Sequence, residues 1–379
     1  MKKKEVNEIK KIFSPANCTI TRICGCYVDA EKNRRTEIKA AFSSLPADET
    51  YKYFNIFRSA MSGEVGKKLL NMEFPLVAEE EGGAQHFLLR LRDSALKDEA
   101  LVEEFYDKLI ASYAYGENYY IILIHCAYDI PAKSSDGLEM YDASDFVYEF
   151  VQCIICPVKL SKAGLYYNSE ANSIQNRNRD WLVEVPDAGF LFPAFNDRNT
   201  DIHSLLFYTK NPEQMPERLI KETLGCVRPM SAKSQAETFQ AIVEEVMGDN
   251  CNFETVKNIH ESFYSLMEES KNETEQVTLN PEQIKKIMES NGADEENLKE
   301  FEKRYEGFEA QQPEFLLTNI VNHKNFDIKT YDVSIKVRAD KANLLESRMI
   351  DGRPCIVIEV NENVEVNGIN VKPIQPKTE

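Results

Sequence analysis

The stretch GFLFPAFNDRNTDIHSLLFYTK, residues 189–210, sets Asp197, Arg198, Asp201 and His203 among buried-looking aromatics. Two carboxylates and an imidazole are hard and borderline ligands that converge in metal-dependent hydrolases. Alternation along a strand would put Asp201 and His203 on one face. The competing reading is a polar turn between two apolar strands, with the aspartates capping it and Arg198 pairing. The sequence weighs towards the turn.

A second acidic cluster, AYDIPAKSSDGLEMYDASD (127–145), holds Asp129, Asp136, Asp142 and Asp145 just after an apolar run. Strand ends are frequent ligand sites, and loops fixed by a core strand often carry function. Asp129 therefore joins Asp197, Asp201 and His203 as a catalytic candidate, and Arg198, Asp136 and Asp142 as binding candidates. If the two clusters meet in space, the case for both strengthens. No metal ligand set and no cofactor is expected. The cysteine pairs CGC (24, 26) and CIIC (153, 156) lie in strand-like apolar runs without the turn context of a zinc site. GEVGKK (63–68) has two residues between its glycines where a phosphate loop needs four.

These residues need elements to position them. CTITRICGCYV (18–28) reads as a strand, ETYKYFNIFRSAMSG (49–63) as a helix, QHFLLRLR (85–92) as a strand and DEALVEEFYDKLIASY (98–113) as a helix. YYIILIHCAY (119–128) does not alternate, which marks a central strand covered on both faces. DASDFVYEFVQ (142–152) reads as a short helix capped by Asp142 or Ser144. CIICPVKL, DWLVEVP, GFLFPAF and DIHSLLFY follow as strands, with connections short enough to favour antiparallel pairing.

After residue 210 the pattern changes. Phe239, Ile242, Val243, Val246 and Met247 share one helical face, and Phe253, Val256, His260, Phe263, Tyr264 and Met267 another. LNPEQIKKIMESNG supplies Asn280 as N-cap and Gln283 as its capping-box partner. Leu298, Phe301, Tyr305 and Phe308 mark a fourth helix. KNETEQ (271–276) reads as a flexible break. DVSIKVRA, PCIVIEV and NENVEVNGINV return to strands, with Asn367-Gly368 at a hairpin corner. The expected fold is α+β, with a mixed, mostly antiparallel sheet domain over 1–210. An acidic helical region at 211–312 and a small β-rich unit at 313–379 complete it.

The net charge of −18 argues against a broad nucleic-acid surface, leaving a local basic patch as the route to one. Residues 236–312 alone hold 19 acidic and 7 basic side chains. No apolar run reaches the ~20 residues of a membrane span, and nine scattered cysteines suit a reducing, cytoplasmic setting.

The segments NCTITRICGCYVD, YDIPAKSSDG, ICPVKLS, GFLFPAFNDRNTDIH and VEVNGI together resemble an uncharacterised bacterial family described as a domain of unknown function. The resemblance implies a bacterial, intracellular protein and carries no activity, cofactor or site residue. The leading expectation is a non-enzymatic binding or regulatory protein, with a protein partner on the acidic helices. The alternatives are a metal-dependent hydrolase or nucleotide-processing enzyme built from 127–145 and 187–203, and a nucleoid- or ribosome-associated protein.

Overall fold

The computed structural model describes residues 1–133, 139–140, 146–270, 277–308, 315–322, 324–360 and 364–371. The chain forms two compact units, Met1–Ser231 and Ala232–Glu379. In the first unit α1 (Lys3–Lys11) precedes β1 (Ile20–Val28), β2 (Arg34–Ala41), α2 (Ala47–Ser59), β3 (Leu69–Glu73) and the short α3 (Leu76–Glu79). Then come α4 (Ala84–Asp93), α5 (Glu99–Ser112), β4 (Tyr119–Asp129), the two-residue β5 (Ala132–Lys133) and β6 (Glu139–Met140), and β7 (Val147–Leu160). β8 (Leu165–Asn168), β9 (Ser173–Asn176), β10 (Trp181–Val183), β11 (Ala188–Phe192), β12 (Ala194–Asn196), β13 (Asn199–Asp201) and β14 (Ser204–Thr209) complete it.

The main sheet runs β2-β1-β4-β7-β11-β14-β3, with β10 also on β7. Every neighbouring pair is antiparallel. Its two faces bury separate cores. Ile121, Leu123, Cys153, Ile155, Phe190 and Phe207 pack with Phe87, Leu88 and Leu91 of α4 and Leu101, Phe105 and Leu109 of α5. Ile122, Ile124, Phe150, Ile154, Leu191 and Leu206 pack with Val6 and Ile9 of α1 and Phe54 and Phe57 of α2. From Tyr119 to Ile124 the odd residues of β4 thus serve one core and the even ones the other, which is why that stretch is apolar throughout. Gly25 of the CGC run sits where the Tyr120 ring fills the space a Cβ would need, and the Tyr120 hydroxyl lies 3.1 Å from that of Tyr53.

Three expectations require correction. QHFLLRLR is α4, not a strand: Phe87, Leu88 and Leu91 are buried at helical spacing while Arg90 is exposed. Phe146–Gln152 is not helical, because Tyr148 and Phe150 are buried and alternate with exposed Val147 and Glu149, a period of two that β7 realises. The boundary at 210 also moves. Leu219, Ile220, Leu224 and Cys226 sink into the α4–α5 core, so 211–231 belongs to the sheet unit.

The second unit starts with α6 (Ala232–Met247) and α7 (Phe253–Glu269). β15 (Thr278–Leu279), α8 (Pro281–Ser290), α9 (Glu295–Phe308), β16 (Phe315–Leu316) and α10 (Leu317–Ile320) follow. Phe239, Val246, Phe263, Ile284, Phe301 and Phe315 share its core. Asn280 and Gln283 make the expected capping box. Three hairpins follow among the described residues: β17 (Asn325–Lys329) with β18 (Ser334–Arg338), β19 (Leu345–Ile350) with β20 (Arg353–Ile358), and β21 (Val364–Val366) with β22 (Ile369–Val371). Asn367 and Gly368 both hold positive φ at the last corner, as type I′ turns require. Residues 313–322 join the helical core rather than the hairpins, since Phe315 and Leu317 are buried in it. The expected break at 271–276 lies outside the described residues.

Candidate functional site

β12 and β13 form a tight hairpin whose two corner residues, Asp197 and Arg198, have φ of 49° and 58°. That left-handed pair is the turn geometry a two-residue hairpin needs, and aspartate adopts it more readily than most residues. Helix α1 clasps the corner. The buried Glu5 accepts the Asp197 amide on Oε1 at 2.7 Å and the Lys2 amide on Oε2 at 2.6 Å. Lys2 pairs with the Asp197 carboxylate at 2.8 Å. Arg198 donates to Glu8 at 3.0 Å and to the Pro131 carbonyl at 3.1 Å, and Glu8 also accepts from Tyr128. Beneath the corner, fully buried Phe195 packs on Tyr148 and Tyr128, with ring centroids 4.7 and 6.3 Å away.

The strand ends at Asp201, so Asp201 and His203 do not share a strand face. The expectation that they would is corrected by the turn at Ile202-His203. The Asp201 carboxylate faces inward, accepting from Asn196 and Ser204 at 2.6 Å each and from the His203 amide at 3.0 Å. Burial alone would raise its pKa. The donors from Ser204, Asn196 and His203 outweigh that and hold it below the usual carboxylate value. The His203 ring turns away to Glu79 of α3, 2.8 Å from Nδ1. The hydrogen bond to Glu79 and its charge raise the imidazole's pKa.

Asp129 lies exposed at the end of β4, opposite Val147. The 127–131 stretch and the 197–203 turn therefore do meet, through Arg198 on Pro131 and Glu8 between Arg198 and Tyr128. Asp136, Asp142 and Asp145 lie outside the described residues. Among the described residues no group of three His, Cys, Asp or Glu side chains could hold a metal ion.

The cysteines are all free, and six of them are buried. Cys24, Cys26 and Cys153 face the α4–α5 core while Cys156 faces the other, so the sheet keeps Cys156 apart from the other three. Burial pushes the Cys26 thiol up to about 12, far from a thiolate at neutral pH.

A cleft of about 410 Å³ opens between the end of α5 and residues 209–218, lined by Tyr113, Tyr115, Asp187, Thr209, Gln214 and Arg218 among others. The Tyr113 hydroxyl donates to Asp187 at 2.8 Å, and Arg218 is engaged by Glu222 at 2.8 and 3.0 Å. The cleft's strongest donor and one of its carboxylates are thus already paired.

The feature that sequence reasoning missed is an arm. A single register runs from Val158 opposite Val183 and Leu160 opposite Trp181, through Leu165 opposite Asn176, to Asn168 opposite Ser173. β7–β8 and β9–β10 are therefore two legs of one long hairpin. Ser161 and Asp180 tie its middle, amide to carbonyl at 2.8 Å and Asp180 amide to Ser161 Oγ at 3.0 Å, and Arg177 donates its amide to the Gly164 carbonyl at 2.8 Å. From Val158 to Asn168 the ribbon reaches about 30 Å at strand rise. Almost nothing on its outer half is buried. Leu165, Ile174, Tyr167 and Trp181 are 76%, 64%, 58% and 57% exposed. Trp181, the chain's one tryptophan, also lines a concavity of about 340 Å³ with Gly116, Asn118, Val158 and Leu160. The matching signal in the sequence was the run of large apolar residues interleaved with NRNR. Gly164, Asn168, Ser169, Asn172 and the NRNR run are residue types that mark loops and mask the strand pattern.

The chain belongs to the family described as a domain of unknown function, DUF4317, whose model matches residues 1–369. No curated protein matches it.

Proposed function

We propose that this is a non-enzymatic binding protein whose contact element is the β-arm of residues 157–184. The observation that carries the reading is the solvent exposure of Leu165, Tyr167, Ile174 and Trp181 on a ribbon with no core of its own. Isolated exposed apolar residues are ordinary, but Leu165, Tyr167 and Ile174 neighbour one another on the ribbon, and such a set on an exposed element marks a place that something else covers. A two-stranded ribbon is also marginal alone, so holding one in a fixed register serves presentation more than folding.

The acidic helices are a weaker contact surface. Their apolar faces, Phe239, Val246, Phe263, Ile284 and Phe301, are spent on their own core, and the charge outside is the solvated side of amphipathic helices.

The test is site-specific photo-crosslinking in cells, with the reactive side chain placed at Tyr167 or Ile174 and, as control, at exposed Lys52 of α2. Adducts at the arm positions well above the α2 level are expected. Equal yields at all three sites would overturn the assignment.

A further inference from the structure

We infer that the arm's occupant is single-stranded nucleic acid, an identification that rests on the arm being the binding element. Across residues 157–184 the arm carries Lys159, Lys162, Arg177 and Arg179 against Glu170, Asp180 and Glu184, with Lys159 paired to Glu117 at 3.7 Å, so its cationic stretch is Lys162, Arg177 and Arg179, in a chain of net charge −18. Lys162 and Arg177 are exposed and carry no ion pair among the described residues. Arg179 spends Nε on the Ser161 carbonyl at 2.8 Å, which orients its guanidinium without neutralising it. A cationic stretch on an acidic protein matches a polyanion locally while the remainder repels one. Contact is thereby confined to the ribbon.

The aromatics supply the second half of the argument. Exposed rings stand at both ends of the cationic stretch, Trp181 at the base and Tyr166 and Tyr167 towards the tip. Bases stack on such rings whatever their sequence, and only unpaired bases have a free face to offer. A duplex would use the cations and leave the rings idle. An acidic protein would satisfy the charge, but it has no general reason to meet aromatic rings spaced along a ribbon.

The chain's single tryptophan makes the test direct, because any base stacked on Trp181 alters its emission. Short single-stranded homopolymers, oligouridylate and oligothymidylate, are titrated into the full chain at low salt; the pair separates RNA from DNA as the source. Trp181 emission should be quenched, and the affinity should fall with salt with a log–log slope of about −2, as three phosphate contacts on a single strand give. Followed by anisotropy of a labelled oligomer, Trp181→Ala should weaken binding about tenfold. Lys162→Ala and Arg177→Ala should each flatten the slope by about 0.7, and Lys52→Ala on α2 should not. All three arm positions are exposed, so the variants should keep the wild-type circular dichroism.

Two results overturn the inference: no change in Trp181 emission with either oligomer, or binding whose slope ignores Lys162 and Arg177. If the oligomers are silent while crosslinks from Tyr167 to a protein persist in cells, the occupant is a protein. The arm then stands as the binding element and the nucleic-acid assignment falls. If crosslinks are absent as well, both fall.

Discussion

The hairpin at 194–201 and the arm at 157–184 grow from the same antiparallel sheet, and both are rich in aromatic and charged residues. They differ in what those residues touch. At the 197–198 corner, Glu5, Glu8, Lys2 and the Pro131 carbonyl account for the amide, the carboxylate and the guanidinium, and Phe195 is sealed under them. On the arm, Leu165, Ile174 and Trp181 face solvent, and Lys162 and Arg177 form no ion pair among the described residues. A polar group already bonded inside the fold is committed to stability. One left exposed on a projecting ribbon is available to a ligand. Composition does not separate these cases; the partners do.

Paired truncations test that contrast most severely. Phe195→Ala should cost about 3–5 kcal/mol, the usual loss for emptying a fully buried aromatic site. Ile174→Ala on the arm should stay within about 0.5 kcal/mol, as exposed substitutions do. Urea unfolding of the two variants beside the wild type measures both. A large loss at Ile174 would mean that the arm is part of the fold's own packing, and the contrast would collapse.

Glu5 should give the next largest effect. It is a buried carboxylate holding two amides, those of Lys2 and Asp197, across almost the whole length of the sheet unit. Glu5→Ala leaves both donors without their acceptor and should destabilise by about 2 kcal/mol, in the range for charged hydrogen bonds. The same unfolding measurement checks it. A neutral result would show that α1 does not fasten the corner.

Much of the sheet was legible because burial leaves a period. The non-alternating run of 119–128 marked a strand covered on both faces, and the faces are indeed separate cores, although the sheet is antiparallel throughout. Asn280 with Gln283, and Asn367 with Gly368, announced their cap and corner through local chemistry alone. The failures are equally physical. Phe87, Leu88 and Leu91 suit a helix, but Leu89 between them makes four apolar neighbours in a row of five that mimic a strand. Tyr148 and Phe150 alternate over too few residues to override a helical capping signal at 142–144. At the candidate site, the turn character of 197–198 could be read from Asp and Asn in sequence. Glu5 and Glu8 could not, since they lie some 190 positions away. The arm escaped for a different reason: its pairs are close in sequence, but Gly164, Asn168, Ser169, Asn172 and the NRNR run are residue types that mark loops.

Acidity probes the corner more gently. Asp201 is held below its ordinary pKa, so its contribution is complete above the unfolded value near 4 and is lost as the pH falls through the depressed folded value. Wild-type stability should therefore drop on acidification below about pH 5, and Asp201→Asn should drop less over that window while costing about 1 kcal/mol at neutral pH. Unfolding midpoints across that range decide it. Parallel curves would mean that the Asn196 and Ser204 bonds do not depend on the charge.

The smallest effect lies at the edge of the same turn and has the opposite sign. His203 is exposed, and its imidazolium is favoured by Glu79, so its folded pKa stands above its ordinary value. Whatever the pair contributes is present below about pH 6.5 and fades as the pH rises through the folded value. Solvent screening keeps the energy small, which makes the ring's own titration the better observable. Proton NMR of His203 should give a raised pKa in the wild type and the ordinary value in Glu79→Gln. An unchanged titration in Glu79→Gln would break the His203–Glu79 link. That ring would then stand with Lys162 and Arg177 of the arm as a group the fold does not engage.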